Sequence, residues 1–169
     1  MASYGPLSAY TYNGDGLRAT RTITATGAQQ FAWDPTGGVP LMLTDGDTNY
    51  IYDDAGNPIE QIDAAGAVLY YQHDQYGSTR LLTNPAGAVA ATFSFDPYGN
   101  LTGRTGTADT PLRWNGQNQD TGLYYLRARY YDPTTAQFLT VDPLAAATGA
   151  RYSYAGGNPI TGADPGTVD

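Results

Sequence analysis

The stretch Thr48-Asn-Tyr-Ile-Tyr-Asp-Asp-Ala-Gly-Asn-Pro-Ile-Glu-Gln-Ile-Asp-Ala-Ala-Gly66 decides the fold. It holds two runs that alternate with period 2, Thr48 to Tyr52 and Pro58 to Asp63, with β-branched and aromatic residues at the alternating positions. Each run ends in an Asp-x-x-Gly tetrad, Asp53–Gly56 and then Asp63–Gly66. The Asp side chain bonds a backbone N–H two residues on, and the Gly supplies φ > 0 without steric cost. Strand, turn, strand, turn is the unit of an antiparallel meander.

The same pattern recurs on both sides. Tyr12-Asn-Gly-Asp-Gly-Leu-Arg18, Trp33-Asp-Pro-Thr-Gly37, His73-Asp-Gln-Tyr-Gly77 and Phe95-Asp-Pro-Tyr-Gly-Asn100 repeat an aromatic residue (His73 in one case) before a turn. Gly37, Gly56, Gly77 and Gly99 recur at roughly twenty-residue intervals, the spacing of stacked repeats. A second turn series lies between them: Asp45-Gly46-Asp47, Asp63–Gly66, Asn84-Pro-Ala-Gly87 and Gly103-Arg-Thr-Gly106. Ala88 to Phe95 supplies another alternating strand. The expected fold is all-β. One helical turn is expected at Pro143–Thr148, with Pro at its first position and Gly149 past its end.

Composition agrees. The chain has 169 residues, enough for one domain or a piece of a larger one. Gly 21, Pro 11 and Tyr 15 describe a turn-rich, aromatic β protein. A net charge of -8 argues against nucleic acid as the main partner, because binding phosphates requires a basic patch. Cysteine and lysine are both absent, which excludes disulfides, thiol chemistry and Schiff bases. No apolar run reaches the length of a membrane span. The chain opens in mid-pattern at Tyr4-Gly5, as a piece of a longer repeat array does.

The densest stretch is Gly122 to Pro143, with four tyrosines, two arginines and two Asp-Pro steps. Its alternation predicts a strand, a turn at Asp132-Pro133-Thr134-Thr135, and a returning strand through Phe138, Leu139 and Val141. Leu123, Tyr125, Arg127, Arg129 and Tyr131 are expected on one face, and Tyr124, Leu126, Ala128 and Tyr130 on the other.

Individual residues read first as structure. Asp34, Asp53, Asp74 and Asp96 are turn initiators, too far apart in sequence to converge on Ca²⁺. The tyrosines Tyr50, Tyr52, Tyr70, Tyr71, Tyr124, Tyr125, Tyr130 and Tyr131 fit cross-strand aromatic pairs. His73 is the only histidine and is expected as a half-buried ring in an aromatic slot. No metal site and no cofactor are expected.

The run Gly122-Leu-Tyr-Tyr-Leu-Arg-Ala-Arg-Tyr-Tyr-Asp-Pro133, with Gln137-Phe138, Asp142-Pro143, Arg151-Tyr-Ser-Tyr-Ala-Gly-Gly-Asn-Pro-Ile160 and Asp164-Pro165, resembles the associated core of the RHS/YD-repeat family. With the repeats, the resemblance covers nearly the whole chain. It points to the proteins that carry this core: polymorphic toxins, toxin-complex C subunits and teneurin-like YD shells. It implies that hairpins at residues 1–110 form a curved or rolled sheet, capped by a core segment at residues 111–169 that plugs the shell.

The function implied is a structural, encapsulating module that houses a C-terminal toxin cargo in a secreted or cell-surface bacterial protein. Its partners are then upstream YD repeats and the cargo, with self-association through open strand edges such as Ser8 to Tyr12. An alternative is an aspartic self-protease that releases the cargo. The resemblance assigns that role to Asp142 and Asp164, with Asp132 and Arg127 supporting. Two carboxylates sharing a proton can serve as acid and base. Gln137 stands where relatives carry an Arg, and the segment after Asp164 is one residue short, so self-cleavage is not expected here. A third reading is a surface adhesion module that binds glycans on its tyrosine-rich face.

Overall fold

The computed structural model describes residues 8–23, 27–142, 145, 149 and 151–160. Strand makes up 50 % of the chain and helix 6 %, against roughly one-quarter strand in an average soluble domain. The fold is all-β, and every described strand pairing is antiparallel. The chain divides into two compact units, Met1–Leu69 and Tyr70–Asp169.

In the first unit, β1 (Ser8–Tyr12), β2 (Arg18–Ile23) and β3 (Gly27–Gln30) form a three-stranded sheet. A meander follows through β4 (Ala32–Asp34), β5 (Leu41–Thr44), β6 (Thr48–Tyr52) and β7 (Pro58–Asp63). Leu17, Met42 and Tyr50 are buried here. Arg18 is buried too, its guanidinium 4.2 Å from the centre of the Phe31 ring. The unit boundary falls within β8 (Val68–His73); β8 pairs with β9 (Thr79–Thr83), β9 with β10 (Val89–Phe95) and β10 with β11 (Leu101–Gly106). A separate four-stranded sheet joins β12 (Asn118–Asp120), β13 (Leu123–Leu126), β14 (Arg129–Asp132) and β15 (Gln137–Phe138) in that order.

Six turns share one construction, headed by Asn13, Asp53, Asp63, Asp74, Asn84 and Asp96. In each, the head's side-chain Oδ1 accepts the backbone N–H groups two and four residues on, at 2.8–3.1 Å. The head's carbonyl accepts the N–H of the Gly three residues on. That Gly is left-handed every time, as at Gly56 with φ +81. Where the repeat aromatic or His73 precedes the head, the register skips one residue: Ile51 faces Glu60, whereas Tyr52 faces Pro58. The same skip recurs at Tyr12, His73 and Phe95. An extra residue on one strand bends it and raises its local twist, so the repeat builds its own curvature.

Several details differ from the sequence reading. Gly37 is not left-handed. Asp34 instead accepts both the N–H and the hydroxyl of Thr36, and a longer loop leads to β5. Gly103–Gly106 is strand β11 rather than a turn, because it pairs with Ala91–Ser94 of β10. His73 is exposed rather than half-buried, although Tyr52 and Phe95 at the same register skip are half-buried. The run Leu123–Tyr131 is not one strand. A two-residue turn at Arg127-Ala128 reverses it, with Leu126 facing Arg129 across the hairpin and Arg127 at φ 55. The expected face assignment therefore fails: Tyr124 and Tyr131 are cross-strand partners and share a face. The turn at Asp132–Thr135 is present, but β15 stops at Phe138, and Leu139 and Val141 are exposed. Apart from Ala145, the helical turn expected at Pro143–Thr148 lies outside the described residues.

Candidate functional site

The hairpin β13–β14 builds the core of the second unit. Its register places Tyr124 beside Tyr131, both fully buried. Trp114, in a short 3₁₀ turn at Trp114–Gly116, lies at the centre of the cluster. Its ring is stacked on Tyr131 at 5.6 Å between centroids, and is tilted against Tyr124 at 5.6 Å and Tyr154 at 5.0 Å. Phe138 closes the cluster against Tyr131 and Tyr154. Offset and tilted ring pairs at these distances are favoured by the ring quadrupoles, at about 0.5–1.5 kcal/mol each beyond their buried area.

A buried phenol needs a hydrogen-bond partner, and these partners tie the core to the last repeat turn. Tyr124 donates to the Gly99 carbonyl and Tyr131 to the Tyr98 carbonyl, both at 2.9 Å. Asn100 donates from Nδ2 to the Pro133 carbonyl at 2.9 Å. The preceding repeat turn is held in the same way. The Asn115 backbone N–H donates to the Ser78 hydroxyl at 3.0 Å, and its side-chain amide donates to the Tyr154 hydroxyl at 3.2 Å. Thr79 donates its hydroxyl to the Leu112 carbonyl at 2.7 Å.

The candidate carboxylates are placed apart in their chemistry. Asp142 forms an ion pair with Arg129, Nη1 to Oδ2 at 3.0 Å. The Arg129 guanidinium also lies 3.6 Å from the centre of the Phe138 ring. Asp132 is turned into its own turn, where Oδ1 accepts the Thr134 N–H at 2.8 Å and the Thr134 hydroxyl at 2.6 Å. Partial burial raises the Asp132 pKa, but these bonds from Thr134, with others from Thr135, outweigh it and hold the carboxyl below the ordinary Asp value. Arg127 heads the hairpin turn and donates to the Gln117 side-chain oxygen. Asp164 lies outside the described residues. Sequence reasoning missed Trp114 as the centre of the cluster; its only signal is one Trp between the last repeat and the tyrosine-rich run.

Burial pushes the Tyr124 and Tyr131 phenols far above their usual range, and the Asp96 charge adds to both shifts. A folded pKa raised above the unfolded value gives stability that is complete below the unfolded pKa and is lost as pH rises through the folded one. Urea midpoints should therefore hold steady up to about pH 10 and then fall, at about 1.4 kcal/mol per pH unit for each tyrosine. The variant carrying Tyr124→Phe and Tyr131→Phe should show a flatter alkaline limb; an unchanged limb refutes the assignment.

Among the described residues no cluster of three or more His, Cys, Asp or Glu side chains is arranged to hold a metal ion. No described helix is long and apolar enough to cross a membrane. The fold and the tyrosine core define a class: hairpin-repeat β proteins in which a C-terminal aromatic segment packs on the last repeats. The Teneurin YD-shell model matches residues 44–153, more than half of the chain, and the chain belongs to that family.

Known relatives fit. The chain is 30 % identical to the tRNA nuclease WapA of Bacillus subtilis, over 95 % of this chain and 7 % of the relative. It is 30 % identical to the double-stranded DNA deaminase toxin A of Burkholderia cenocepacia, over 89 % of this chain and 11 % of the relative. It thus spans only a small part of these proteins. Among solved structures it is similar to the TcdB2–TccC3 crystal structure, with a TM-score of 0.72 and 21 % identity over 98 % of this chain and 9 % of that one. The same complex without its hypervariable C-terminal region matches with a TM-score of 0.74 and 20 % identity, over 99 % of this chain and 9 % of that one. These structures share its fold.

Proposed function

We propose that this chain is the closing end of a YD-type β shell that encloses a C-terminal toxin segment, in a secreted or surface-exposed bacterial protein. Residues 1–110 contribute repeat hairpins, and residues 111–169 the plug. The observation that carries this reading is the set of bonds from Tyr124, Tyr131 and Asn100 that fasten the aromatic core to the Asp96 turn and its neighbours. Membership in the YD-shell family and relatives named as a nuclease and a deaminase toxin support it. Sequencing the gene on both sides is the first test: YD repeats should precede this segment and a divergent segment should follow. In the full-length protein, added protease should spare the following segment, and deleting residues 111–160 should expose it. Equal sensitivity with and without the plug refutes the encapsulating role.

Self-cleavage is not part of this proposal. Asp142 is engaged by Arg129 and Asp132 by its own turn, which supports leaving it out. Gln137, at the position where the family resemblance implies an Arg, is neutral and cannot make a bidentate carboxylate contact. A folded reporter fused after Asp169 should stay attached over days at neutral pH. Release that disappears with Asp142→Asn or Asp164→Asn restores the protease reading.

A further inference from the structure

The chain contains two Asn-Gly steps, Asn13-Gly14 and Asn115-Gly116. We infer that Asn13 is a site of spontaneous deamidation and that the fold protects Asn115.

Asn13 heads the first of the six equivalent turns and is exposed. Its Oδ1 accepts the N–H groups of Asp15 at 3.0 Å and Leu17 at 2.9 Å. Gly14 has open space around it, with nothing within 4 Å of a Cβ placed there. In the reaction the Gly14 amide nitrogen loses its proton to solvent and bonds to Cγ of Asn13. Negative charge develops on Oδ1, where two backbone N–H groups already point; preorganised donors aimed at a developing oxyanion lower such barriers. The Cγ–Nδ2 bond then breaks, and ammonia leaves with a proton taken from water. Water opens the resulting succinimide at one carbonyl or the other, giving aspartate or isoaspartate.

The other asparagines with related features lack one requirement. Asn84 heads a turn of the same geometry, but Pro85 follows it and has no N–H to attack with. At Asn115 the attacking amide is occupied, since Gly116 N–H donates to the Arg113 carbonyl at 3.1 Å. The Asn115 side chain is clamped as well, donating to Tyr154 at 3.2 Å and accepting from the Ser78 hydroxyl at 3.3 Å. Ring closure there has to break the Gly116 bond, and loss of ammonia has to break the Tyr154 bond.

The two products differ in consequence. Aspartate at position 13 keeps the Oδ1 acceptor and reproduces the heads at Asp53, Asp63, Asp74 and Asp96, while adding one negative charge. Isoaspartate puts an extra carbon into the main chain, turns the Cγ oxygen into a main-chain carbonyl and displaces it from the turn, so it loosens the β1–β2 hairpin.

The test is to age the intact chain in mildly alkaline buffer, native and in urea, and to follow each Asn by peptide mapping with mass spectrometry. Native Asn13 should react at least an order of magnitude faster than native Asn115, and the two rates should converge in urea. Similar native rates, or an Asn13 that stays intact in the native chain while both react in urea, overturn the inference. Asn13→Asp should melt like the parent; a clear loss of stability contradicts the equivalence of the two heads.

Discussion

Replacing Trp114 by Ala should destabilise the second unit by about 3–5 kcal/mol, the usual cost of truncating a buried aromatic residue to Ala. Trp114 is 5 % exposed and contacts the rings of Tyr124, Tyr131 and Tyr154. Its removal leaves a cavity that these rings fill poorly, because two of them are fixed by hydroxyl bonds to the Gly99 and Tyr98 carbonyls. Whole domains are stable by only about 5–15 kcal/mol, so the loss takes a large share of the total. Urea unfolding followed by near-ultraviolet dichroism of the tyrosines measures it. The only other tryptophan, Trp33, lies in the first unit, so residual fluorescence in the variant reports on that unit by itself. A midpoint equal to the parent's means the cluster is not the core. Trp114→Phe should recover part of the loss, since a ring still fills part of the space.

Gly99→Ala should cost far more than Gly56→Ala, although both glycines hold the same place in their turns. Both are left-handed, at φ +89 and φ +81, so both substitutions carry the same conformational penalty of about 1–2 kcal/mol. Their surroundings differ. A Cβ on Gly56 meets the Leu41 side chain at 3.5 Å, an ordinary contact. A Cβ on Gly99 sits 2.7 Å from Cδ2 of Trp114, which is buried and has little room to retreat. Overpacking of that kind adds about 1–3 kcal/mol. The difference between the two variants isolates the steric part. In a Trp114→Leu background the extra cost at Gly99 should shrink, because residues in contact couple in double-mutant cycles. Equal costs at Gly56 and Gly99, or full additivity with Trp114→Leu, sink the argument.

The two predictions rest on residues of different legibility. Gly99 is visible in the sequence as a turn glycine; that it is also the floor beneath Trp114 is visible only in the fold. The candidate carboxylates divide in the same way. Asp132 caps its own turn through Thr134, two residues away, as its Asp-Pro-Thr-Thr context indicates. The partner of Asp142 is Arg129, at the start of β14, and choosing it over Arg127 requires knowing where the hairpin reverses.

By itself the sequence determined the repeat: strands Thr48–Tyr52 and Pro58–Asp63, and the Asx-x-x-Gly turns from Asp53 to Asp96. Each of those turns closes through bonds within five residues, so its chemistry is complete in the local sequence. Only the tertiary structure decided the rest. Arg127-Ala128 carries none of the Gly, Asn or Pro that mark a hairpin turn, yet the chain reverses there. The physical reason is burial: reversing at that point puts Tyr124 and Tyr131 on one face against Trp114. That gain depends on residues Trp114, Phe138 and Tyr154, brought together from separate segments, and it offsets the strain of a non-glycine residue at φ 55. Gly103–Gly106 is a strand for a different reason: β11 is exposed, and β10 offers it a ladder that its own Gly-rich sequence does not announce.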